Sequence, residues 1–277
     1  MTIDPAIIIK TATWGLIAFA VTIVCWWTWR LLARRIRRPR TDRAPRPQGP
    51  LFSAVVLPLL YAAAHWVLIA RPSNAGGSWR SLDGNTRIFL LAPAALLLGL
   101  LLSLPIPRFL RVIIMLAGGA TVAFFVVGTV HPDYLGATNR WIWLGATALG
   151  TWLTWWGLEH ACARRAWAGL LSACLIALAT APAVGLIGAN AVYAQGANAL
   201  ASMLAALLLL SLWPGTASIA RGGTPLIAMI LGAYWVMSTE TFHGSLPAWS
   251  PAALPVAAGI TAVLTHLLPR RRAASDS

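Results

Sequence analysis

The sequence predicts an all-α, polytopic integral membrane protein, a bundle of about nine transmembrane helices. Three observations predict it. The chain of 277 residues is 58% hydrophobic and only 10% charged, with a mean hydropathy of +0.73. Ordinary soluble domains are about 45–50% apolar and about 25% charged, so too little polar surface exists here to cover a soluble core. The apolar residues fall in continuous Leu/Ala-rich runs rather than alternating ones, which favours helices over a barrel as the way to satisfy backbone groups in lipid. Finally, the basic residues collect at the ends of those runs.

A bilayer core of about 30 Å takes about 20 helical residues. The first run, 11–33, is preceded by a single basic residue, Lys10, and the basic cluster Arg30 to Arg46 lies at and beyond its C-terminal end. Residues 1–33 therefore read as a retained anchor of reversed orientation, not a cleaved signal peptide. Segment 34–50, RRIRRPRTDRAPRPQGP, reads as an extended, solvated cytoplasmic loop. Its Arg34, Arg35, Arg37 and Arg38 are placed to attract anionic lipid headgroups. An eight-helix membrane domain is expected over 51–268, followed by a cytoplasmic basic tail, 269–277.

Within that domain the second run is 51–70, with Pro58 inside it, and the third is 88–104, the shortest, with Pro93. The fourth is 112–130. The fifth, 141–160, carries Gly145, Ala146, Gly150 and Gly157; Ala146 and Gly150 have the spacing that lets helices approach closely. The sixth is 166–185, with Pro182, and the weakly polar stretch Asn190 to Asn198 divides it from the seventh, 196–213. The eighth, 224–241, and the ninth, 251–268, complete the count. Prolines in membrane helices free a carbonyl and can open a cavity.

Charge sets the orientation, because cytoplasmic loops collect Lys and Arg. With the N-terminus outside, 16 of the 21 basic residues fall inside, including the triplet Arg270 to Arg272. The expected topology is therefore N-out and C-in, multi-pass, in the plasma (inner) membrane. Tryptophans agree: Trp26, Trp27, Trp29 and Trp213 lie near inner ends and Trp66, Trp79 and Trp249 near outer ends. A four-plus-four parallel repeat after the first helix is suggested by the ends of the fourth and eighth runs, where Thr129 aligns with Thr241 and His131 with His243. Parallel repeats occur in transporters.

Several functions are excluded or unsupported. Net charge is +14, but the arginines lie at run ends rather than on one continuous face interleaved with aromatics, so nucleic acid is not an expected partner. Cys25, Cys162 and Cys174 have no paired spacing and read as small buried hydrophobes. No phosphate loop, nucleophile elbow or HExxH motif is present, so soluble-type nucleophilic or ATP chemistry is not expected, and a non-catalytic role is favoured over a membrane-embedded enzyme acting on lipid or isoprenoid substrates.

Ionisable groups in a membrane are functional candidates by default. One expected cluster is on the outer face: His65, His131, Glu240 and His243, with Glu240 and His243 spaced i, i+3 if the eighth helix continues that far. Their convergence would form a mononuclear metal site. The other candidates are His160 and His266 at inner ends, which with the outer histidines could ligate haem b. The polar run Ser238 to Thr241 is expected to line an outward pocket with Asn190, Gln195 and Asn198. The expected function is a permease or channel-like protein for a small solute. Alternatives are a non-catalytic membrane subunit scaffolding other subunits, or a haem b/quinone electron-transfer subunit. The sequence names no cofactor.

Overall fold

A computed structural model describes residues 5–36, 49–68, 84–129, 135–188, 191–212, 218–220, 222–242 and 244–267. Among these the chain is helical, with helices α1 (Pro5–Ile36), α2 (Gly49–Leu68), α3 (Gly84–Ser103), α4 (Arg108–Ala123), α5 (Ala137–Arg164), α6 (Ala166–Pro182), α7 (Ala191–Ser211), α8 (Thr224–Met237) and α9 (Ala253–Leu267). Helices α4 and α6 each end in a π turn, Phe124–Gly128 and Ala183–Ile187. The second follows Pro182 directly, at the point where proline removes a donor from the ladder.

Six of the helical stretches are long and apolar enough to cross a membrane: Thr11–Leu32, Gly84–Ser103, Arg108–Gly128, Ala166–Ile187, Ala191–Ser211 and Ser250–Leu267. The apolar parts of α2 and α8 are shorter, and α5, although 28 residues long, is diluted by five tryptophans and four threonines. Boundaries differ from the sequence expectation in instructive places. Helix α1 begins six residues before 11 and ends at Ile36, while α2 begins at Gly49. Helix α7 starts at Ala191 because the weakly polar stretch is itself helical, so α6 and α7 are separate helices. Helix α8 stops at Met237, four residues short of 241.

Helix α8 is the centre of the bundle. Its residues are buried except for Trp235 and Met237, which are half-buried. Among the described residues the other eight helices form a ring, in the order α1, α2, α3, α4, α5, α9, α6, α7 and back to α1; α8 packs on α3 to α7. A helix that is apolar on every side is buried, and here protein rather than lipid surrounds it. The outer faces of the ring carry exposed large apolar residues, such as Leu16, Leu97, Ile113, Leu178 and Ile260, as a lipid solvent requires. Helix α4, which the sequence aligned with α8, has such a face (Phe109, Ile113 and Leu116 are exposed), so the two take unlike positions.

Glycines set the closest approaches. A Cβ on Gly157 would lie 2.8 Å from the Ala258 backbone of α9, and one on Gly119 2.4 Å from the Ala148 carbonyl oxygen of α5. The small-residue pair expected to bring helices together does otherwise. Gly150 faces open space, and Gly157 makes the contact instead.

Successive helices along the chain alternate in direction, which gives the bundle two ends. Arg30, Arg108, Arg111, Arg164 and Arg165 lie at one, the arginine-rich end, and Arg87 and Arg140 at the other. Arg34 and Arg35 fall within α1, with nothing described of their side chains; Arg37 and Arg38 lie outside the described residues.

Candidate functional site

Helix α8 has 14 residues, about 21 Å at 1.5 Å per residue, so both its ends lie inside the bundle. Each end meets a polar group from a surrounding helix. At the arginine-rich end the hydroxyl of Thr224, the first residue of α8, donates to Glu159 Oε2 of α5 at 2.8 Å. Thr224 is fully buried and Glu159 half-buried. The carboxylate also lies by the helix N-terminus, where negative charge is favoured. Glu159 is the sole acidic residue within the described helices α1 to α9.

At the opposite end, three of the chain's four tyrosines converge. The hydroxyls of Tyr61 (α2) and Tyr234 (α8) are hydrogen-bonded, and the Tyr61 oxygen lies 3.4 Å from His65 Nδ1, one turn on. His65 Nε2 lies 3.1 Å from the Asn85 carbonyl oxygen. A carbonyl only accepts, so Nε2 carries the proton and, in the neutral ring, Nδ1 accepts. The direction follows: Tyr234 donates to Tyr61, Tyr61 to His65, and His65 to the backbone of α3. The Tyr193 ring of α7 stacks on Tyr234 with centroids 5.2 Å apart. Gly84 leaves room for it, since a Cβ there would lie 2.6 Å from the Tyr193 hydroxyl. All four side chains are buried.

Beyond Met237 the described residues 238–242 and 244–246 fold into a compact plug without α-helix. Leu246 N donates to the Ser238 carbonyl at 3.0 Å, Glu240 N to that of Leu246 at 2.8 Å and Gly244 N to that of Thr239 at 2.8 Å. Ser238 and Thr239 are fully buried, and the Ser238 hydroxyl has no hydrogen-bond partner among the described residues. Irregular backbone at membrane depth is tolerated where it is buried in protein or lines a cavity.

This plug corrects one expectation. Glu240 is not on α8. It starts a 3-10 turn, is exposed, and its Oε1 lies 3.4 Å from Ala248 N. Shared helical spacing therefore does not place Glu240 and His243 on one face. His131 and His243 lie outside the described residues, so of the expected outer cluster only His65 and Glu240 are described, one buried and one exposed. His160 stacks on Trp156 with centroids 5.4 Å apart, and Trp156 is exposed on the outside of the ring; His266 is also exposed. Among the described residues no group of three or more His, Cys, Asp or Glu side chains is placed to hold a metal ion.

Of the expected polar pocket, Asn198 instead ties α7 to α1, its Nδ2 donating to the Thr11 carbonyl at 3.1 Å; Asn190 lies outside the described residues. The tyrosine cluster escaped sequence reasoning, although one signal was present: Tyr61 and His65 stand at i, i+4, one turn apart on one helix face.

No protein-family model matches this chain, and no curated protein or solved structure is significantly similar to it. The class rests on the fold itself: six apolar, membrane-length helices in an all-helical bundle make this a multi-spanning membrane protein.

Proposed function

We propose that the chain is a multi-pass permease of the plasma membrane for a small uncharged solute, with nine spans, N-terminus out and C-terminus in. One observation carries it: the helical part of the central span is too short to cross the bilayer by itself, and polar groups from surrounding helices meet it at both ends. Broken helices with polar groups at their inner ends are how transporters build solute sites near the midplane. The Tyr61–His65–Tyr234 network and the unpartnered Ser238 hydroxyl offer neutral hydrogen-bond donors and acceptors at one end. At the other end Glu159 offers a carboxylate acceptor and Thr224 a hydroxyl. Neutral partners at the tyrosine end favour a hydroxyl- or amide-bearing solute over an ion.

Osmotic swelling of proteoliposomes tests the reading. Glycerol and urea should enter about tenfold faster than into empty vesicles, and Ser238→Val should remove most of that gain, as expected for about 1.4 kcal/mol lost at the barrier. Swelling no faster than in empty vesicles for both solutes would overturn it. Orientation is tested separately. The arginine-rich end should be cytoplasmic, so a cysteine at position 165 should resist a membrane-impermeant maleimide in intact cells, whereas one at position 248 should react. The reverse pattern would invert the topology.

A further inference from the structure

A cleft of about 330 Å³ opens through the side of the ring between α5 and α9 and reaches α8. Such a volume is at the lower end of ligand pockets, which run from about 300 to 1,000 Å³. Thr147, Gly150 and Thr151 form its α5 wall, Gly232 its floor, and Trp249 and Pro255 its opposite side. Trp249 and Leu149 at its margin are exposed on the outer, lipid-facing surface of the ring. Among the described residues no charged side chain lines it.

The hydroxyl of Thr147 sets this cleft apart from a packing defect. Eight other threonines, Thr22, Thr121 and Thr154 among them, satisfy their hydroxyl by donating to the carbonyl four residues earlier. Thr147 is 4% exposed, yet its hydroxyl oxygen has no partner among the described residues. A buried polar group without a partner is costly, most of all beside hydrocarbon. Thr151 stands one turn further along the same wall, so the two hydroxyl-bearing residues form a short stripe.

We propose that the cleft binds a neutral membrane lipid bearing a single oxygen head, an alcohol or a ketone on a hydrocarbon tail, which enters sideways from the bilayer. The Thr147 hydroxyl is covered in this conformation; a turn about χ1 brings it into the cleft to hydrogen-bond the head, and the tail lies along the Gly150 and Pro255 walls. An anionic headgroup has no cation to meet there, and a plain alkane would leave the Thr147 hydroxyl unsatisfied. This inference is independent of the permease reading, since the cleft uses neither the tyrosine cluster nor Glu159.

The experiment is photolabelling of the purified protein in nanodiscs with three diazirine probes: a decanol, the corresponding ketone and the corresponding alkane. The decanol should label residues 143–154 and 248–255 saturably, with an apparent affinity about three- to tenfold above that of the alkane, the worth of one hydrogen bond. Ranking the ketone against the decanol tells the two head types apart. Thr147→Val should abolish the preference for an oxygen head. Gly150→Leu should block labelling, because a Cβ there meets only open space and the side chain fills the cleft. Gly145→Leu also enters open space on α5 but lies outside the cleft, and should change nothing. Labelling spread without saturation over the outer faces of the ring, equal affinity for all three probes, or labelling unchanged by both Gly150→Leu and Thr147→Val would overturn the proposal.

Discussion

Gly99→Leu should leave little folded protein, whereas Gly145→Leu should melt like the wild type. A Cβ on Gly99 would lie 2.5 Å from the Gly222 carbonyl oxygen and 3.4 Å from the Ala54 backbone. Both obstacles are main chain. The turn that carries Gly222 cannot retreat, because it is closed by Gly223 N and Thr224 N donating to the Ile219 carbonyl, at 2.9 and 3.2 Å. Gly223 in turn faces Ser53 of α2. Overpacking costs typically 1–3 kcal/mol even where side chains can yield, and a backbone clash costs more. Against a total stability of about 5–15 kcal/mol, leucine at this site should lower the thermal midpoint by many degrees, or abolish the monodisperse peak in detergent. Size-exclusion chromatography after a heating series measures it. A wild-type profile for Gly99→Leu would mean that α3 does not pack on the turn leading into α8, and the central placement of α8 would fall with it.

The bundle was legible in the sequence because lipid imposes a coarse rule. Continuous apolar stretches and the arginines between them mark helices whether or not their packing is known, and each of the nine runs overlaps a helix. Which helix sits in the middle was not legible. Helices α4 and α8 are similar in composition, and lipid and protein interior reward the same residues, so an apolar run does not report which of them surrounds it. The end of α8 was hidden for a related reason. Ser238 to Thr241 reads as a polar helix terminus, but it turns into the bundle because Leu246 and Gly244 supply the backbone bonds that close the plug. The glycines show the limit most plainly. Gly150 and Gly157 are equivalent in sequence terms, yet one faces a cleft and the other the backbone of α9. That difference is set by the register of two helices nearly a hundred residues apart. Of the ionisable candidates, His65 alone among the described residues enters a buried network, and its partners Tyr61 and Tyr234 are 173 residues apart.

That separation makes the network testable as a unit, because its direction predicts unequal costs for chemically equal changes. Tyr234→Phe removes the outermost donor. Tyr61 keeps its acceptor at His65 Nδ1, so the loss should be about 0.5–1.5 kcal/mol, the net worth of one hydrogen bond. Tyr61→Phe does more damage. It takes the acceptor from a fully buried Tyr234 hydroxyl and the donor from His65 Nδ1, and stranding buried polar groups costs about 1–3 kcal/mol each. The double variant tests the argument hardest. With the Tyr234 hydroxyl gone no phenol is stranded, so Tyr61→Phe/Tyr234→Phe should be more stable than Tyr61→Phe alone, a coupling of the kind that contacting residues show. Chemical or thermal unfolding of the three variants in one detergent reads this directly. Equal costs for the two single changes would mean that the protons do not run from Tyr234 to His65. Additive costs in the double variant would mean that the two hydroxyls do not depend on one another, and the tyrosine end of α8 could not then act as a single solute-binding unit.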